Sequence, residues 1–140
     1  MDRPHEAPYA VLAGAFSTGL LGIVLAGRAR LPQRTRLTDL AAIALASHQL
    51  GYVLARDRIA VFLRAPFAEG PAAVQPKGEG MTRAVGELVT CPHCLALWLS
   101  GAFSAALLRF PRETRFAVGV LAAYALSDAF RSAVARLPRD

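Results

Sequence analysis

Charge is scarce in this chain, and so are cysteine and lysine. Asp, Glu, Lys and Arg make up 19% of its 140 residues, and there are only two cysteines. Lys77 is the sole lysine, so arginine carries nearly all the positive charge behind the formal +6. Those arginines flank apolar segments instead of spreading along one exposed face. That excludes nucleic acid as a partner and places them where phospholipid headgroups lie. No cleavable signal is expected, because Arg3 is followed by an apolar run too long for the core of one. Internal repeats and low-complexity tracts are also missing.

Apolar residues are plentiful. They form 54% of the chain, with a mean hydropathy of +0.37, against roughly 45–50% in ordinary soluble domains. The length fits one domain, residues 1–140. Four apolar runs stand out. Ala7–Gly27 is uncharged for 21 residues, about 31 Å as a helix. Leu40–Ala55 is shorter, with Thr38 or Asp39 as its N-cap and with Arg56 and Arg58 long enough to snorkel. Leu88–Leu108 is a third run, and Phe116 to Val134 a fourth, interrupted by Asp128 and Arg131. These runs predict an all-α fold, a four-helix transmembrane bundle with helices over about 7–27, 38–64, 84–108 and 114–135. A loop rich in proline and glycine fills 65–83, preceded by an amphipathic turn or two at Asp57–Arg64 whose Ile59, Val61, Phe62 and Leu63 offer contact to lipid or protein.

Small residues recur at four-residue spacing, as in Ala42/Ala46 and Gly101/Ala105, and let helices approach closely in lipid. The expected partners are the phospholipid membrane and a protein or second copy docked through such faces. Across the first helix the basic count rises from Arg3 alone to Arg28, Arg30, Arg34 and Arg36, so the loop after it is expected to be cytoplasmic and Cys91 to lie near the outer face.

Both cysteines fall in Cys91-Pro92-His93-Cys94, at the mouth of the third run. Pro92 lacks an N–H and suits the first turn of a helix, with Cys91 as N-cap and Cys94 at the third position. The alternative is a helix running in from Arg83 and kinked at Pro92. In the first geometry the helix N-terminus stabilises a Cys91 thiolate. The four residues match those of thioredoxin-fold oxidoreductases, but no alternation of strand and helix surrounds them, so that fold is excluded. As metal ligands Cys91 and Cys94 supply half of a zinc set, which His48, Glu87, His93, Asp128 or another chain would complete. Packing, redox chemistry and zinc all stay open; no organic cofactor is expected.

Depth adds partners. At about 1.5 Å per residue, Cys94, His48 and Asp128 all lie roughly 9–12 Å inside the same side of a ~30 Å core. Ionisable groups at that depth are costly and face partners or a cavity. A polar pocket is therefore expected, with Cys91, Cys94, His48 and Asp128 as catalytic candidates and Gln49, Glu87, Arg58 and Arg131 nearby. Asp128 and Arg131 also pair locally at i,i+3. Ser100, Ser104, Trp98, Tyr9, Tyr52 and Tyr124 read as packing or interface residues.

Several stretches together resemble a bacterial family of small membrane proteins known as domain of unknown function 1360. They are Ala46-Ser47-His48-Gln49-Leu50, Arg56-Asp57-Arg58 through Arg64-Ala65-Pro66-Phe67, Gly86 to Cys94 with Trp98, and Ser127-Asp128-Ala129-Phe130. The resemblance implies a multi-pass protein of the bacterial cell membrane and supports this choice of residues; it brings no reaction with it. The family commonly has an aromatic residue where His93 stands, which makes His93 incidental. The leading expectation is a thiol redox site, with Cys91 attacking, Cys94 resolving, and His48 and Asp128 handling protons. The alternative is a non-enzymatic membrane scaffold whose cysteines pack or bind zinc.

Overall fold

Proline, glycine and a few charges cut this apolar chain into segments, and the cuts fall where the backbone chemistry demands. The computed structural model describes residues 6–27 and 36–137. Arg3, Arg28, Arg30 and Arg34, which enter the basic count across the first helix, lie outside the described residues. The fold is all-α: α1 (Ala7–Gly27), α2 (Leu37–Arg56), a 3-10 turn (Arg58–Ala60), α3 (Val61–Arg64), α4 (Gly80–Thr90), α5 (Pro92–Arg109) and α6 (Pro111–Ala135).

α2 is the central helix and packs on both α5 and α6. Asp39 at its start pairs with Arg115 near the start of α6, at 2.9 Å, so these two helices run in the same sense. α5 runs against them. Its Pro92 carbonyl oxygen would lie only 2.7 Å from a Cβ built on Gly51, late in α2. α1 docks on the outside, where the Phe16 ring meets Trp98 edge-on at 5.2 Å.

The packing inverts the rule for water-soluble bundles. Among the described residues the buried apolar side chains are alanines except for Ile43 and Val118. Bulky side chains point outward: Phe116 is 77% exposed and Phe130 72%. In water such surface would drive association, whereas hydrocarbon has no preference between helix and lipid and lets small residues decide the contact. Ala7–Ala26 and Pro111–Ala135 are each long and apolar enough to cross a membrane, and the bent pair α4 and α5 makes a third if counted as one. α2 is not among them, because Asp39, His48 and Gln49 dilute its apolar content.

Three expected boundaries are corrected. The helix over 84–108 is broken at Cys91, with α4 and α5 meeting at 84°. The helix over 38–64 ends at Arg56, where Asp57 turns extended (φ −74°, ψ 148°). The loop 65–83 holds a short antiparallel ladder, β1 (Ala68–Glu69) with β2 (Gln75–Pro76), and α4 begins inside it at Gly80. The turn between the strands places Ala72 (φ 63°) and Ala73 (φ 48°) in the left-handed region, which non-glycine residues seldom occupy.

Arg64 holds that turn. Its side chain is 1% exposed and faces backbone oxygens: Nε donates to Ala73 (3.2 Å), Nη2 to Ala72 (2.9 Å) and Asp57 (3.0 Å), and Nη1 to Leu54. The Leu54 carbonyl belongs to the last turn of α2, whose acceptors lack helical partners. One guanidinium thus fastens the strained turn to the end of the central helix. Replacing Arg64 by Leu is expected to leave these carbonyls unsatisfied, at a cost on the order of 3 kcal/mol in detergent denaturation, with protease cleavage appearing first in 65–79.

At the opposite end, the hydrogen bond from Arg115 holds the Asp39 carboxyl below its ordinary value against the effect of burial, with the charges of Arg115 and Arg36 assisting. A depressed carboxylate stabilises the fold above its unfolded pKa and loses that contribution as pH falls through the folded one. The stability gap between the wild type and Asp39→Asn should therefore be full at neutral pH and close as pH falls below the ordinary carboxylate range. Denaturation midpoints measured across that range check it.

Candidate dithiol site

The break at Cys91 follows from Pro92. A residue before proline is pushed out of the helical region, and Cys91 is extended (φ −99°, ψ 108°). α4 must stop at Thr90, whose hydroxyl donates back to the Gly86 carbonyl at 2.8 Å. α5 then starts with Pro92 in its first turn and Cys91 as N-cap. The Cys91 Sγ accepts the backbone N–H of Cys94 at 3.3 Å, one of the amide donors left free at a helix start. Both thiols are free and half-buried.

Cys91 lies outside both helices, at the end of the bundle. Burial opposes its thiolate, but the Cys94 thiol, the N–H groups of Cys94 and His93 and the charge of Arg56 outweigh it and set Cys91 below the ordinary thiol value. Gly51 brings α2 against the first turn of α5, and this contact fixes where the N-cap sits.

No side chain of the other candidates hydrogen-bonds to either thiol among the described residues. His48 is exposed on α2, and its neighbour Gln49 is buried on a different face. Asp128 is half-buried and accepts from Arg131 Nη2 at 2.7 Å, the local i,i+3 pair. Glu87, one turn before Cys91, accepts from the Tyr9 hydroxyl at 2.7 Å and from Arg83 Nε at 3.1 Å. His93 and Arg58 are exposed. No hydrogen bond or ion pair among the described residues joins His48 or Asp128 to a cysteine, and no three His, Cys, Asp or Glu side chains gather closely enough there to hold a metal ion. Equal depth along separate helices did not specify which way each side chain faces. The cleft between α1 and α5, about 190 Å³, is lined by apolar residues including Phe16, Ile23 and Trp98.

Three polar groups have surroundings that the sequence does not predict. Tyr9 ties α1 to Glu87, Arg64 binds the turn, and the Ser47 hydroxyl is buried with no partner among the described residues. Arg83 and Glu87 were legible as an i,i+4 pair; the other contacts span distant segments and leave no local pattern.

A family model described as "Protein of unknown function (DUF1360)" matches residues 42–134. The chain belongs to the DUF1360 family. No curated protein and no solved structure matches it. The stretch shared with DUF1360 runs from α2 into α6 and holds both thiols, Arg64 and Gly51, while α1 lies outside it.

Cys91 is expected to react with iodoacetamide about tenfold faster than Cys94 at neutral pH, since the thiolate is the nucleophile. Mass spectrometry of singly alkylated protein checks this; equal rates would show that the N-cap hydrogen bond does not select between the thiols.

Proposed function

We propose that this protein is a multi-pass membrane protein, in which α1 and α6 are long and apolar enough to span alone and α5 and the Leu40–Ala55 stretch of α2 span as their packed partners, and that Cys91 and Cys94 carry out thiol–disulfide exchange at the end of the bundle. The observation that carries the reading is the Cys91 sulfur at the N-cap of α5, accepting the Cys94 N–H at 3.3 Å. That contact favours the charged nucleophile and holds the second thiol within one turn of the first.

The step balances without a cofactor. The Cys91 thiolate attacks one sulfur of a partner's disulfide, forming a mixed disulfide and releasing the partner's other sulfur as a thiolate. That leaving thiolate takes up the Cys94 proton. Cys94, now a thiolate, attacks the Cys91 sulfur, which closes a Cys91–Cys94 disulfide and releases the partner's second sulfur as a thiolate. The partner is reduced by two electrons and the dithiol oxidised by two; the reverse sequence oxidises a partner dithiol. His48 and Asp128 are not needed for this proton balance, and zinc binding to the same sulfurs would need ligands beyond the two cysteines.

Cys94→Ser is expected to accumulate a mixed disulfide at Cys91 in cell membranes, visible as a higher band on non-reducing gels that collapses with reductant. Cys91→Ser and the double variant should show none. Loss of the band when α5 is intact and the protein is inserted would count against exchange. Stoichiometric zinc in purified protein, lost in Cys94→Ala, would favour the scaffold reading.

A further inference from the structure

Immediately after α2 the chain presents a cluster of exposed bulky apolar side chains outside the helical bundle. Ile59 is 76% exposed, Phe62 71% and Leu63 51%. They share one face of the segment formed by the 3-10 turn and α3, while the opposite face is sealed: Ala60 is 3% exposed and Arg64 is 1%. The cluster is therefore held rigidly outward by the Arg64 hydrogen bonds. Two cations flank it. Arg56 and Arg58 are exposed, and neither side chain makes a hydrogen bond or ion pair among the described residues.

We propose that Ile59, Phe62 and Leu63 form an interfacial foot that inserts at the headgroup–acyl boundary of the bilayer, with Arg56 and Arg58 engaging anionic phosphates. The inference rests on the membrane reading above. Two features select lipid over a protein partner. The foot begins after a single extended residue, Asp57, at the end of α2, so it adjoins the outward-facing apolar surface of that helix, including Tyr52 at 50% exposure. Its two exposed charges, Arg56 and Arg58, are cationic, with Asp57 half-buried between them, and they complement an anionic lipid surface. An apolar face with a basic edge lying along the membrane plane is the arrangement by which short amphipathic segments bind such surfaces.

The single tryptophan makes the test direct. In full-length protein carrying Trp98→Phe, which keeps an aromatic ring against Phe16, a tryptophan is placed at the foot (Phe62→Trp) or on the outward face of α6 (Val120→Trp). Each is reconstituted into phosphatidylcholine vesicles with and without phosphatidylglycerol, and quenching by lipid brominated near the glycerol end is compared with quenching by aqueous iodide. The foot residue should be quenched by bromine at least about twofold more than by iodide, more strongly with phosphatidylglycerol, and Arg56→Gln with Arg58→Gln should remove that lipid dependence. Iodide access at Phe62→Trp alone, with Val120→Trp quenched by bromolipid, overturns the foot and leaves the membrane reading standing. Iodide access at both positions overturns the membrane reading itself. Protection of Phe62→Trp from both quenchers shows that protein covers the face, which also overturns the proposal.

Discussion

The arrangement depends on how closely α2 and α5 approach at Gly51. A Cβ there would come within 2.7 Å of the Pro92 carbonyl oxygen and 3.1 Å of the Ala96 nitrogen, so any larger residue would force the backbones apart. That contact pins the first turn of α5 against the second half of α2. A chain arriving along α4 can reach this point only by turning through 84°, and Pro92 makes Cys91 the residue that turns. The N-cap sulfur and its hydrogen bond follow from this contact between two helices. The cap geometry is thus a product of packing as much as of the four-residue motif.

Around this contact the bundle holds together with small residues inside and large ones outside. Eight of the ten buried apolar residues among those described are alanine, which gives close approach but little area to remove from water. Such a core would hold a water-soluble bundle weakly, because burial of apolar surface is the main driving term there. In hydrocarbon the exposed phenylalanines and leucines cost nothing, and van der Waals contact between alanine faces is the currency of association. The polar demand falls on the helix ends, where backbone carbonyls run out of partners. Arg64 meets that demand at the end of α2, and the Asp39–Arg115 pair ties α2 to α6 at the other end.

The sequence carried the helical class, the apolar runs and the N-cap reading of Cys91, because each is written in local pattern: hydropathy over twenty residues, or a proline beside a cysteine. It carried less about direction. His48, Asp128 and Cys94 were expected at one depth, but depth along a helix leaves its rotation open, and the structure turns His48 outward and binds Asp128 to Arg131. The Arg64 latch was invisible for a related reason. Its acceptors are main-chain oxygens at Leu54, Asp57, Ala72 and Ala73, and an acceptor common to every residue leaves no mark in the sequence. The ladder within 65–83 was hidden by prolines and glycines that signal turns, since strands of two residues show no periodicity.

The proposed activity and the proposed membrane contact converge on one end of the molecule. Cys91, the Arg64-fastened turn and the foot at Ile59–Leu63 all follow where α2 terminates or α5 begins. A thiolate deep in hydrocarbon would bear a large desolvation cost and stay protonated, losing its nucleophilicity. At the end of the bundle the same sulfur has amide donors from α5 and the charge of Arg56, and the proposed membrane placement would bring it to the headgroup layer, where a partner can reach its charged form. The foot would then set the height of the dithiol relative to the membrane surface. Exchange would select partners whose disulfides come down to that surface, and a disulfide held far above it in water would meet the pair rarely.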